Sequence, residues 1–143
     1  MYKRQAYDSI LVAIDIYSDY EGVVHRAMQL AGNNVKLNLL YVVYPQTSIE
    51  PYGLFLESDF SDEICQQAKE KLEGIAHRHN IPVSHTHVVV GAAADEIHAA
   101  AEKLGSDLIV IGTHGRSGMR LLLGSTANAV LHGVKTDVLA VKV

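Results

Sequence analysis

Asp107-Leu108-Ile109-Val110-Ile111-Gly112-Thr113-His114-Gly115-Arg116-Ser117-Gly118 is the stretch on which the reading of the chain turns. Asp107 to Gly112 predicts a strand, and its unbroken apolar run from Leu108 to Ile111 is what a parallel strand covered on both faces requires. The loop that follows carries Gly115, Gly118 and Gly124 before Ser125 and Thr126 open a helix. Glycines take positive φ and let backbone amides approach an anion without a Cβ in the way. A helix N-terminus adds unpaired N–H donors and a positive dipole. The segment therefore predicts a phosphate cradle, with Ser125 and Thr126 adding hydroxyl donors. The plainer alternative is that the glycines only build turns. The spacing matches neither a Gly-x-x-x-x-Gly-Lys-Ser/Thr loop nor a Gly-x-Gly-x-x-Gly fingerprint after the first strand, which argues against both of those functions.

Outward from this loop, short β-branched runs alternate with segments of helical period, the pattern of parallel βαβ units. Strands are expected at Ser9 to Asp15, Val35 to Val43, Val83 to Val90, Asp107 to Gly112 and Asp137 to Val143. Helices are expected from a Ser18 or Asp19 cap to Ala31, over Ser61 to Arg78, over Ala94 to Leu104 with Gly105 as C-terminal cap, and over Ser125 to His132. The fold class is α/β: a single-domain, open, doubly wound, Rossmann-like five-stranded parallel sheet with about four helices, covering residues 1–143. The connection from Tyr44 to about Phe60 exceeds the usual ~4–6 residues and reads as a lid or partner surface.

Asp15 ends the first strand. With the first and fourth strands adjacent, it stands beside Gly112 at the switch in strand order, where open parallel sheets bind ligands. There its carboxylate would accept hydrogen bonds from ribose hydroxyls or help hold a metal ion. The alternative is a turn or cap residue before the first helix.

The 143 residues suffice for one domain with a full core, and 48% hydrophobic with 20% charged residues describes a compact domain. A formal charge of −4 offers no basic field, so nucleic acid is not an expected partner. No apolar run reaches the ~20 residues of a membrane span, and Met1 to Tyr7 does not read as a signal peptide, so the expectation is no membrane and a cytoplasmic location. Cys65 is the single cysteine; it cannot form an intramolecular disulfide and reads as inert.

Gly112-x2-Gly115-x8-Gly124-Ser125, together with Ile10-Leu11-Val12-Ala13-Ile14-Asp15 and Asp137-Val138-Leu139-Ala140-Val141-Lys142, resembles the universal stress protein family over the whole chain. The ATP-binding branch of that family carries Gly-x2-Gly-x9-Gly-Ser/Thr, so this chain has one residue fewer between its second and third glycines. All three glycines and the serine are kept, as in the binding branch. The resemblance implies strand order 3-2-1-4-5 and bound ATP with Mg²⁺. It implies that Asp15 meets ribose, that Ala13 and Ile14 line the base pocket, and that the Val42 backbone reads adenine. Ile111 and Gly112 would approach ribose. Gly115, Arg116, Gly124, Ser125 and Thr126 would surround the phosphates, with His114 in the same loop; Arg116 is otherwise a solvated loop cation. It also implies a homodimer through Val138 to Val143, an apolar edge that needs covering.

Eight histidines raise a metal question. His85-x-His87 would place two imidazoles on one strand face and His77-x-His79 lies at a helix end, but no cysteine or carboxylate stands beside either at ligand spacing, and surface polarity is the commoner explanation. Glu57, Asp59, Asp62 and Glu63 read as a helix-start bias. No nucleophile, base and orienter set is visible, so no catalytic residue is assigned. The leading expectation is a nucleotide-binding sensor or regulatory protein in stress response. The alternatives are a slow ATPase or autophosphorylating protein, with Ser117, Ser125 or Thr126 as acceptors, and an interaction protein with a vestigial nucleotide site.

Overall fold

A computed structural model describes residues 7–44, 57–113, 127–132 and 134–143. The elements in chain order are β1 (Ile10–Ala13), α1 (Glu21–Ala31), β2 (Leu37–Val43), α2 (Glu57–Arg78), β3 (Thr86–Val90), α3 (Ala93–Leu104), β4 (Leu108–Gly112), α4 (Ala127–Leu131) and β5 (Asp137–Val141). All four strand pairings are parallel, in the order β3-β2-β1-β4-β5. This is the α/β doubly wound sheet that the alternating pattern predicts, with β1 and β4 adjacent at its centre.

The two faces of the sheet are covered separately. Ile10, Val12, Leu37, Leu39, Leu108 and Val110 pack under α1 and α2, which contribute Val23, Val24, Ala27, Leu72 and Ile75. Leu11, Leu40, Ile109 and Ile111 face the other way, toward Ile97 and Ala101 of α3 and Val130 of α4. Alternation along each strand sends neighbouring side chains into opposite layers. Because both layers are helix-covered, the central strands are apolar at every position.

Several boundaries differ from the sequence reading, and local hydrogen bonds explain them. β1 stops at Ala13, because the Asp15 carboxylate accepts the Tyr17 amide at 3.0 Å and Ser18 N–H bonds back to the Asp15 carbonyl at 3.1 Å, turning the chain. Neither Ser18 nor Asp19 caps α1; Tyr20 is the N-cap residue, without a side-chain cap, and the Ser18 hydroxyl donates to the Asp15 carbonyl at 3.2 Å. Val35 belongs to a 3-10 turn whose N-cap Asn33 accepts the Val35 amide, so β2 begins at Leu37. A second 3-10 turn, Val83–His85, likewise delays β3 to Thr86, whose hydroxyl donates to the Val83 carbonyl at 2.7 Å. β4 begins at Leu108 because the Asp107 side chain accepts the amides of Asp8 and Ser9. α2 starts at Glu57 rather than Ser61, which shortens the long connection at its far end. β5 ends at Val141, short of Val143. Gly105 caps α3 in the left-handed region as expected, with φ 64°.

Candidate functional site

The switch point between β1 and β4 opens into a cleft at the carboxyl ends of the central strands. Ala13, Ile14, Asp15, Val42, Ile111 and Gly112 line it. The register places Ala13, the last residue of β1, opposite Ile111 on one side and Leu40 on the other, while β2 and β4 run on past it. Tyr20 and Val23 close the cleft from the α1 side, and Ala93 and Ile97 from the α3 side. His114, Gly115, Arg116, Gly124, Ser125 and Thr126 lie outside the described residues, as does the segment from Pro45 to Leu56.

Each of these placements has a local cause. The β1–β2 ladder carries on as far as the Ile14 amide, which donates to the Leu40 carbonyl at 3.0 Å. Backbone groups alternate sides along a strand, and since Gly91 N–H donates to the Val43 carbonyl from the β3 side, Val42 turns its amide and carbonyl toward the β1 side. There β1 has already ended, so these groups face the cleft. Asp15 is anchored by the Tyr17 amide, which holds its carboxylate at the mouth beside Ser18 and Asp19. Thr113, the last residue before the undescribed loop, is tied to β5 by its amide to the Val141 carbonyl at 2.9 Å, and its hydroxyl accepts Val143 N–H at 3.2 Å. The cleft is thus apolar on its walls, acidic at one lip, and rimmed by the strand that leads into the glycine-rich loop.

The family model described as the universal stress protein family matches residues 6–142. The chain belongs to this family. It is 43% identical over 141 residues to universal stress protein A homolog 2 of Coxiella burnetii, covering 96% of each chain. The universal stress protein UspA from Lactobacillus plantarum shares the fold, with a TM-score of 0.75 at 24% identity, covering 96% of this chain and 99% of that one. A universal stress protein solved in complex with cAMP aligns with a TM-score of 0.60 at 29% identity over 96% of this chain and 98% of that one. Some structural neighbours in the family therefore bind adenine nucleotides.

Among the described residues no histidine lines this cleft. His85 lies in the 3-10 turn rather than on a strand and its Nδ1 donates to the Leu37 carbonyl at 3.0 Å, while His87 Nε2 bonds Asn38 Oδ1 at 2.9 Å. The His85-x-His87 spacing therefore does not lie on a strand, since the first of the two belongs to the turn that precedes β3. His87 is pushed below the usual histidine value by burial, with the charges of His85, Lys103 and Lys69 adding to the effect. Cys65 is pushed up by burial and by Asp62, which keeps the thiol protonated and inert.

Sequence reading missed one cluster. Glu21 and His25 sit one turn apart on α1, and His79 comes from the end of α2, so that one ligand atom from each lies within 4.8 Å of the others. Burial disfavours the Glu21 carboxylate, but hydrogen bonds and charge from His79 and Arg78 outweigh that and hold its carboxyl below the ordinary value. The Glu21 to His25 spacing of four was a visible signal, whereas the arrival of His79 from 58 residues away was not.

No helix among the described residues is long and apolar enough to cross a membrane.

Proposed function

We propose that this universal stress protein is an adenine-nucleotide-binding regulatory protein that holds ATP, with Mg²⁺, in the cleft between β1 and β4. The observation that carries the reading is the composition of that cleft: apolar walls for a base, a carboxylate at Asp15, and strand backbone at Val42 that extends past the end of β1, at the place where parallel sheets bind ligands. Adenine presents an adjacent donor and acceptor on its pairing edge, which suits one outward amide and carbonyl of a strand. Ala13 and Ile14 flank the base. Asp15 accepts from ribose hydroxyls or helps hold Mg²⁺, and Ile111 and Gly112 approach the sugar. The phosphates extend toward His114, Gly115, Arg116, Gly124, Ser125 and Thr126. The 29%-identical relative in complex with cAMP supports the class of ligand. The protein acts as a homodimer through the β5 edge, and the domain is a single nucleotide-binding unit.

Titration calorimetry of the purified, nucleotide-stripped protein with ATP and Mg²⁺ tests this reading, with cAMP and GTP run beside it. One equivalent of ATP is expected to bind, and Gly115→Asp is expected to abolish binding by placing a carboxylate among the phosphates. No binding of any adenine nucleotide at millimolar concentration would overturn the proposal. Preference for cAMP over ATP would reassign the ligand within the same cleft.

A further inference from the structure

Glu21, His25 and His79 converge on the surface where the start of α1 meets the end of α2. Glu21 Oε1 stands 2.9 Å from His79 Nε2 and 3.8 Å from His25 Nε2. Tetrahedral coordination with bonds of ~2.0–2.1 Å sets ligand atoms about 3.3 Å apart, and these two separations bracket that value. The two imidazoles meet edge to face with ring centroids 5.7 Å apart. His25 is 65% exposed, which leaves its ring room to swing the remaining distance, whereas His79 is only 10% exposed and fixed.

Two features prepare His79 as a ligand. Its Nδ1 lies 2.9 Å from the Ile75 carbonyl. A carbonyl only accepts, so Nδ1 carries a proton and Nε2 is the nitrogen left to face Glu21, the orientation common among metal-ligating histidines. The Asn34 side-chain amide donates to the His79 carbonyl at 2.7 Å, pinning the helix end that bears the ring. His79 Nε2 stands 2.9 Å from Glu21 Oε1; a proton on Nε2 makes the contact an ion pair, and a metal ion would take that proton's place. Glu21 is oriented as well. Arg78 takes its other oxygen, Oε2, at 3.5 Å, so that Oε1 is the one turned to both imidazoles. Arg78 is in turn held by the Tyr20 hydroxyl at 2.6 Å.

We infer that Glu21, His25 and His79 form a binding site for a divalent first-row transition ion, Zn²⁺ foremost, with three protein ligands and a fourth position open to water. Two imidazole nitrogens and one carboxylate oxygen suit zinc and its neighbours, and do not suit Mg²⁺ or Ca²⁺, which take oxygen ligands. None of the three lines the nucleotide cleft, and the inference does not rest on ATP binding.

The test uses the full chain, stripped of metal and nucleotide, titrated with ZnCl₂ at neutral pH by calorimetry while imidazole nitrogen NMR follows the histidines. One Zn²⁺ per chain is expected at micromolar metal, with the Nε2 signals of His25 and His79 shifting together and the His79 Nδ1–H retained. His25→Ala and Glu21→Gln, both on exposed side chains, are each expected to weaken binding by at least about tenfold, while His85→Ala leaves it unchanged. Circular dichroism confirms that each variant folds. The inference is overturned if no Zn²⁺ binds below millimolar concentration, which would mean that only a proton bridges His79 and Glu21. It is also overturned if binding survives both ligand substitutions, which would place the ion on other histidines.

Discussion

Asp15 shows how one side chain is given two tasks. Its carboxylate ends β1 by accepting the Tyr17 amide, and the same bond aims it into the cleft. Asp15→Asn keeps an oxygen for the Tyr17 amide and removes the charge. ATP affinity is therefore expected to fall about tenfold, the worth of one charge-assisted hydrogen bond (about 1.4 kcal/mol), while the melting temperature stays put; equal affinity in calorimetry would remove Asp15 from the ribose site. His87 makes a second prediction at this scale. Its pKa is lowered in the fold, by burial first and then by His85, Lys103 and Lys69. The unfolded chain therefore takes up a proton at His87 before the folded chain does. Its contribution to stability is whole above about pH 6.5 and is lost as the pH falls from there toward the folded pKa. Urea midpoints measured across that window should decline on acidification, and His87→Gln should flatten the decline.

At the scale of elements, the end of α3 and the body of α2 ask opposite things of glycine. Gly105 closes α3 at φ 64°, with its amide bonding back to the Ala101 and Glu102 carbonyls. A Cβ there would touch nothing within 4 Å, so the cost of Gly105→Ala is backbone strain alone, about 1–2 kcal/mol. Gly74 lies within α2 and a Cβ there also meets nothing within 4 Å. Gly74→Ala should instead stabilise by about 0.5–1 kcal/mol through the entropy of the unfolded chain. Chemical denaturation of the two variants should move in opposite directions; a shift of the same sign would contradict the assignment of either backbone conformation. Gly105 was recognisable from its place after a helical pattern, whereas the caps of α1 were not. Ser18 and Asp19 are good cap residues by type, but Asp15 captures the preceding turn and shifts the helix start to Glu21.

At the scale of the molecule, β5 is the last strand of the sheet and Ala140 on it is exposed. A two-fold interface sets the same patch against itself, so any charge introduced there is introduced twice. Sedimentation of the protein is expected to give twice the chain mass of 15.6 kDa. Ala140→Glu should shift it toward the monomer without unfolding it, and a wild-type monomer at tens of micromolar would exclude the dimer.

The alternation of Leu108 to Ile111 with helical segments determined the fold class by itself, because a parallel strand buried on both faces must be apolar throughout and its crossovers must be helices. The same residues placed Asp15 and Gly112 at one seam, since a sheet whose order reverses between its first and fourth strands leaves a crevice there. Local competition decided what periodicity did not: Asn33 and Pro82 begin 3-10 turns that take residues from the starts of β2 and β3. Only tertiary structure turned the Val42 backbone to a side that β1 has vacated, and only packing of α1 against the end of α2 brought His79 to Glu21 and His25. Contacts across 58 residues of chain have no period and no spacing; they exist once two helices lie side by side on one face of the sheet.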